Sequence, residues 1–228
     1  MLPINDTEPN RYGSFPVMTL TLIAINTLVL ILEYSLPVPL LRGVIYVFGS
    51  TPSLLWAREG AGMISTITSM FLHGGLFHLL GNMLFLWVFG RRVEDACGPG
   101  RFLLYYLLSG TSADLITAIA QPRVSIPGIG ASGAIFGVLG AYFLLFPGGR
   151  IRTLWFIYII PTWPKIPAFW FILYYLVIQI PPALDSYLNG VQYGVGYWAH
   201  LGGFFACIFI PLFLKPEAFA RYMSNVSV

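Results

Sequence analysis

The chain has 228 residues, of which 57% are hydrophobic and only 9% charged, with a mean hydropathy of +0.77. Soluble domains carry roughly 25% charged residues, so a water-soluble globule is excluded and a polytopic membrane protein embedded in a lipid bilayer is expected. The net charge of +3 comes from scattered basic residues, and Cys97 and Cys207 stand far apart, so the chain carries no nucleic-acid footprint, no disulfide framework and no CxxC metal site.

Residues 1–16, MLPINDTEPNRYGSFP, are polar, with one arginine and two acids, unlike the basic region of a signal peptide, and no AxA-like site follows the first apolar run. That run is expected to be kept as a span. A helix needs about 20 apolar residues to cross ~30 Å of hydrocarbon. Six spans are predicted: Val17 to Tyr34, Leu76 to Gly90, Phe102 to Ala120, Ser132 to Phe146, Ala168 to Ile180 and Ala199 to Leu214. The expected architecture is an all-α, six-helix membrane domain over 17–214, between a polar segment 1–16 and a tail 215–228. The first loop, from Ser35 to about Gly75, carries LLRGVIYVFG and is expected to lie partly in the membrane's surface layer. The stretch RIRTLWFIYIIPTWPKIPA, broken by Pro161, Pro164 and Pro167, is expected in the interface or as a re-entrant segment. No internal repeat or second domain is visible.

Six spans put both termini and the second and fourth loops on one side. That side holds Arg11, Arg91, Arg92, Arg101, Arg150, Arg152, Lys165, Lys215 and Arg221; the other holds Arg42, Arg58 and Arg123. The positive-inside rule makes the first side cytoplasmic. Glu94, beside Arg91 and Arg92, is expected to anchor the cytoplasmic end of the second span.

The fourth span opens at Ser132, and the sixth reaches from His200 to Leu214. At 1.5 Å per residue each covers roughly 22 Å, so both residues are expected several ångströms below the outer surface. His78 stands 13 residues before Arg91, close to that level, with Asn82 one turn deeper on the same helical face. Polar groups inside a bilayer face the bundle interior or a water-filled cavity. Gly133, Gly137 and Gly140 form a small-residue face on the fourth span, and His200, Gly203 and Cys207 share a face on the sixth. Small residues let helices approach closely, which would bring His200 toward Ser132. An ideal helix turns Ser132 about 100° from the glycine face, so the first turn must be adjusted, which Gly128 and Gly130 allow.

Each feature also has a plain structural reading. Ser132 among glycines can be packing material, His200 a core histidine bonded to a carbonyl, and His78 with Asn82 interhelical glue. His73 is off their face and is expected to order the loop. Asp114 is expected to sit in a polar network with Ser109, Thr111 and Ser112. There is no HExxH for a zinc protease. Asp114 is taken as the one carboxylate within a span, so an aspartyl pair is lacking. A serine with a histidine base remains.

FLHGGLFHLLGN, GASG and AHLGG occur in that order on the second, fourth and sixth predicted spans. They resemble the motifs of the rhomboid intramembrane serine proteases, and the resemblance runs from INDTEPNRYGSFPVMTLTLIAIN to the last span. It implies Ser132 as nucleophile and His200 as general base, then acid. His78 and Asn82 would stabilise the oxyanion together with the Ser132 N–H, and Gly130, Gly133, Phe136 and Gly203 would pack the site. It implies no metal or other cofactor and no third charged residue to orient the imidazole. The partners would be transmembrane protein substrates, cut near the outer face in a plasma membrane or bacterial inner membrane. Separately from the resemblance, the prolines flanking the fifth span make it the expected gate. The alternative is a non-proteolytic relative that binds transmembrane helices. Three departures stand out: Phe136 where the family usually has tyrosine, Cys207 in place of the second glycine of GxxxG, and GMISTITSM where many members carry a Trp-Arg pair.

Overall fold

The computed structural model of the chain describes residues 1–57 and 61–228; Arg58, counted above, lies outside them. Strand β1 (Leu2–Asp6) precedes helix α1 (Val17–Ser35), and α2 (Val38–Phe48) with a short helix at Pro52–Ala57 begins the first loop. Helices α3 (Leu76–Cys97), α4 (Pro99–Ala120) and α5 (Ser132–Leu145) follow, α3 passing through one π-helical turn at Leu86–Gly90. Strands β2 (Arg150–Ile157), β3 (Ile160–Thr162) and β4 (Lys165–Pro167) separate α5 from α6 (Ala168–Asn189). Helices α7 (Tyr197–Phe213), tightened to a 3₁₀ turn from Ala206, and α8 (Pro216–Met223) complete the order.

Among the described residues, three helices, α1, α4 and α6, are each long and apolar enough to cross a membrane, and α3 and α7 bring the number to five when each is joined to the short helix bent against it. Helix α5 is apolar but has 14 residues, about 21 Å. It is buried from Gly133 through Tyr142 and packs between α4 and α7. A helix that is apolar all round belongs in the middle of a bundle. Its contact with α7 is backbone to backbone, since a Cβ on Gly203 would stand 1.9 Å from the Gly133 carbonyl oxygen; toward α4, a Cβ on Gly133 would meet the Ala113 methyl at 2.6 Å. Helix α2 buries none of its residues and exposes Val38, Leu40, Tyr46, Val47 and Phe48.

The expected helical bundle is present, and a small sheet is added to it. Residues 150–167 form a small sheet in which β2 pairs antiparallel with β1, β3 and β4. Three prolines deny this stretch a helix, and β1 supplies the outer partner. Asp6, at the end of β1, is buried and paired with Arg91 at 2.6 Å and Arg92 at 2.7 Å. Those two arginines therefore hold the N-terminal strand, and Glu94 has another task than the one expected. It accepts the Met18 and Thr19 N–H groups at 2.8 Å and the Thr19 hydroxyl at 2.7 Å. Pro16 offers α1 no side-chain cap, and a carboxylate at a helix N-terminus satisfies both the orphan donors and the dipole. Asp95 likewise takes the Arg11, Tyr12 and Ser14 N–H groups. The tail, 215–228, holds α8, and its last N–H, on Val228, donates to Leu145 O at 3.0 Å.

Candidate active site

Ser132 is the first residue of α5. The approach to it is shaped by Gly130, at φ +121°, where a Cβ would stand 2.7 Å from the His78 ring. Only glycine fits both the left-handed backbone and the close ring. Gly128 is paired with Ser50 through two backbone hydrogen bonds, and the Gly130 N–H donates to Ser69 O at 2.9 Å, so the segment leading to the serine is tied to the first loop. The first hydrogen bond of the α5 ladder is Ile135 N–H to Ala131 O. The N–H groups of Ser132, Gly133 and Ala134 thus have no acceptor within the helix, and they carry its positive dipole end.

His200 lies in the first turn of α7, buried, with Nε2 2.9 Å from Ser132 Oγ. The two side chains meet in spite of the unfavourable ideal angle, and the first turn of α5 is an ordinary α-helical one, with Ile135 N–H bonded to Ala131 O at 3.0 Å. The Phe136 ring lies flat on the imidazole, 4.3 Å between centroids and 6° between planes. On its far side, His200 Nδ1 is 2.8 Å from Oε1 of Gln179, a residue in α6 that sequence reasoning missed. Its one signal was a lone amide in the apolar run LVIQIPP.

His78 and Asn82 both border Gly130. Asn82 is buried, and its Nδ2 is 3.1 Å from His73 Nε2. An amide nitrogen only donates, so His73 Nε2 accepts and its proton sits on Nδ1, 3.3 Å from Phe71 O. His73 therefore does more than order a loop: it holds the Asn82 amide. The His73 N–H is in turn held by the Glu33 carboxylate at 3.2 Å. Glu33 is buried near the end of α1, so Asp114 is not the sole carboxylate within a predicted span. His78 is exposed on the cleft side, its Nδ1 3.4 Å from the Gly74 N–H. The Tyr34 hydroxyl accepts the Leu76 N–H at 3.0 Å at the start of α3.

A cleft of about 320 Å³ opens beside these groups, lined by Ser132, His78, Gly130, Asp114, Tyr197 and Ala199 among others. Asp114 accepts the Ser69 hydroxyl at 3.0 Å, so its partner comes from the first loop and not from the α4 residues expected. Thr111 faces Thr66 at 3.3 Å instead. Among the described residues, no three His, Cys, Asp or Glu side chains cluster as metal ligands would. A hydroxyl, an imidazole, the N–H groups of a helix N-terminus and two side-chain donors gathered beside one cleft can carry out acyl transfer: attack, proton acceptance and oxyanion binding.

The family model for the Rhomboid domain matches residues 61–217. The chain is 31% identical to RHOMBOID-like protein 5 of Arabidopsis thaliana over 66% of its own length and 44% of that relative. It is 38% identical to Rhomboid protein 1, mitochondrial, of Saccharomyces cerevisiae over 43% of this chain and 29% of the relative. It is 47% identical to Rhomboid protease GluP of Bacillus subtilis over 33% of this chain and 14% of the relative. The aligned stretches thus span less than half the length of each relative.

Proposed function

The chain belongs to the rhomboid family, and from that premise we propose that it is an intramembrane serine endopeptidase that cleaves transmembrane segments of membrane proteins. The observation that carries this reading is the 2.9 Å contact between Ser132 Oγ and His200 Nε2 beside an open cleft. His200 accepts the hydroxyl proton as Ser132 attacks the scissile carbonyl, then gives it to the leaving amine. Water enters from the cleft and hydrolyses the acyl-enzyme by the same base. The oxyanion forms against the Ser132 N–H, with His78 and Asn82 as side-chain donors. Gly130, Gly133 and Gly203 keep the backbones close, and Phe136 flanks the imidazole.

Helices α1, α3, α4, α5, α6 and α7 form six spans in this reading, over 17–214, with 1–16 and 215–228 both cytoplasmic. The cleft faces the outer side of a plasma membrane or bacterial inner membrane. The short α5 sets the cut several ångströms below that surface. A helical peptide bond is shielded by its own hydrogen bonds, so substrates with small or helix-breaking residues near the cut are preferred.

The test uses purified protein in detergent with a transmembrane substrate. Ser132→Ala and His200→Ala are each expected to lower kcat on the order of 10⁶-fold, and a fluorophosphonate probe to label Ser132 in the unmodified protein. Cleavage at the unmodified rate by either variant would overturn the mechanism.

A further inference from the structure

His200 has two ring nitrogens, and only one of them faces Ser132. Base catalysis needs that one, Nε2, to be a bare lone pair, so the single proton of the neutral imidazole must sit on Nδ1. In many serine enzymes a carboxylate enforces this, but no carboxylate contacts His200 among the described residues. The atom at Nδ1 is Oε1 of Gln179, at 2.8 Å, and the amide is nearly buried, 5% exposed.

The amide's direction is set by a second contact. Gln179 Nε2 donates to the backbone carbonyl of Tyr175 at 2.7 Å. A carbonyl only accepts, so the NH₂ end must stay on Tyr175 and the oxygen must face the imidazole. That oxygen also only accepts, so Nδ1 must carry the proton. One fixed carbonyl in α6 thereby determines every donor and acceptor as far as the serine hydroxyl. The local chain holds Gln179 in place. The Gln179 N–H reaches back three residues to Leu176 O, and Pro181 and Pro182 lie just beyond it at the first turn of the continuing segment Ile180–Asn189, where a missing N–H is tolerated.

We propose that Gln179 is a positioning residue that holds His200 in the Nδ1–H tautomer, with Nε2 free to take the Ser132 proton. The role rests on the protease reading for its catalytic consequence, but the tautomer itself does not. When His200 becomes an imidazolium, the neutral amide still accepts the Nδ1–H bond, which strengthens as the ring charges.

The test has two arms. In the first, ¹⁵N-histidine protein in micelles is compared with Gln179→Leu and Gln179→Met, with His200→Ala identifying the His200 signals among the three histidines. The unmodified protein is expected to show the Nδ1–H tautomer, and the two variants a mixture or the Nε2–H form. An unchanged Nδ1–H tautomer in a folded variant overturns the proposal. In the second arm, both variants are expected to lower kcat roughly 10- to 100-fold with KM unchanged, as for loss of a hydrogen bond to a charged group. Gln179→Glu keeps the acceptor and is expected to restore most of kcat. Its added charge favours the imidazolium and moves the acid limb of the pH–kcat profile upward. The other groups around the ring are Ser132 and Phe136 on α5, Tyr197 on α7 at 6.3 Å, and His78 across the cleft on α3. Full kcat in a folded Gln179→Leu variant also overturns the proposal. Failure of the unmodified protein to react with a fluorophosphonate strikes at the protease reading alone, since the tautomer arm needs no activity.

Discussion

Asn82 carries two N–H hydrogens, and His73 Nε2 engages one of them at 3.1 Å. The same nitrogen also lies close to Gly130, 3.6 Å from where an added Cβ would stand. Asn82→Ala is therefore expected to lower kcat about 10²- to 10³-fold, the usual cost of losing one oxyanion donor. His73→Ala leaves the donor but frees it to rotate, so a smaller loss, roughly 10-fold, is expected, again in kcat and not KM. Steady-state cleavage by the two variants checks the ranking; a His73→Ala loss equal to that of Asn82→Ala would make His73 itself part of the oxyanion site. The helical spacing of His78 and Asn82 was open to reading because it is local. His73 meets Asn82 only because the chain turns sharply between Leu72 and Gly75 before α3 begins, and no periodicity encodes that turn. The same holds for Gln179, whose value depends on which nitrogen of a distant imidazole it meets.

At the scale of elements, the contact between α5 and α7 decides whether the serine and histidine stay together. His200 is three residues before Gly203, and Gly203 lies against the Gly133 carbonyl, one residue after Ser132. Gly203→Ala is expected to force the helices apart, destabilising the fold by about 1–3 kcal/mol or more and removing most cleavage by separating the dyad. Gly81→Ala, on α3, is the matched control: its Cβ meets nothing within 4 Å, and alanine favours a helix by up to about 1 kcal/mol. Thermal unfolding in detergent should therefore place the two variants on opposite sides of the unmodified protein. The glycine spacing on α5 made this packing legible in the sequence. The sheet was not legible, because β1 and β2 pair across about 150 residues of chain and LPIND alternates too weakly to announce a strand. Glu94 misled for a related reason. Its neighbours in sequence are arginines, but its partners in space are the orphan N–H groups of another helix.

The molecule as a whole is polarised. The cleft opens at one end, while Asp6, Arg91, Arg92, Lys215 and the sheet gather at the other, where the Lys215 ammonium donates to the Ser14 hydroxyl at 2.7 Å. From that end the β2–β3 hairpin projects with an apolar tip: Phe156, Tyr158, Ile159 and Ile160 are 63%, 96%, 90% and 64% exposed. Exposed Arg150, Arg152 and Lys165 stand at its root. So much bare apolar surface is costly in water, and an aromatic tip above a basic root is the pattern of a segment resting in the headgroup layer. The hairpin is therefore expected to dip into the leaflet nearest the basic end, steadying the frame on which α5 and α6 are mounted. An Ile159→Cys variant, in a background with the buried Cys97 and Cys207 replaced by alanine, can carry a polarity-sensitive fluorophore. In nanodiscs its emission is expected to shift to the blue and to be quenched by lipids spin-labelled near the headgroup. The same label at Gly148, where an added side chain meets open space, is expected to stay water-like. Water-like emission from both positions would place the hairpin in solvent. The sheet would then hold the N-terminal strand through Asp6 and its two arginines, without help from the bilayer.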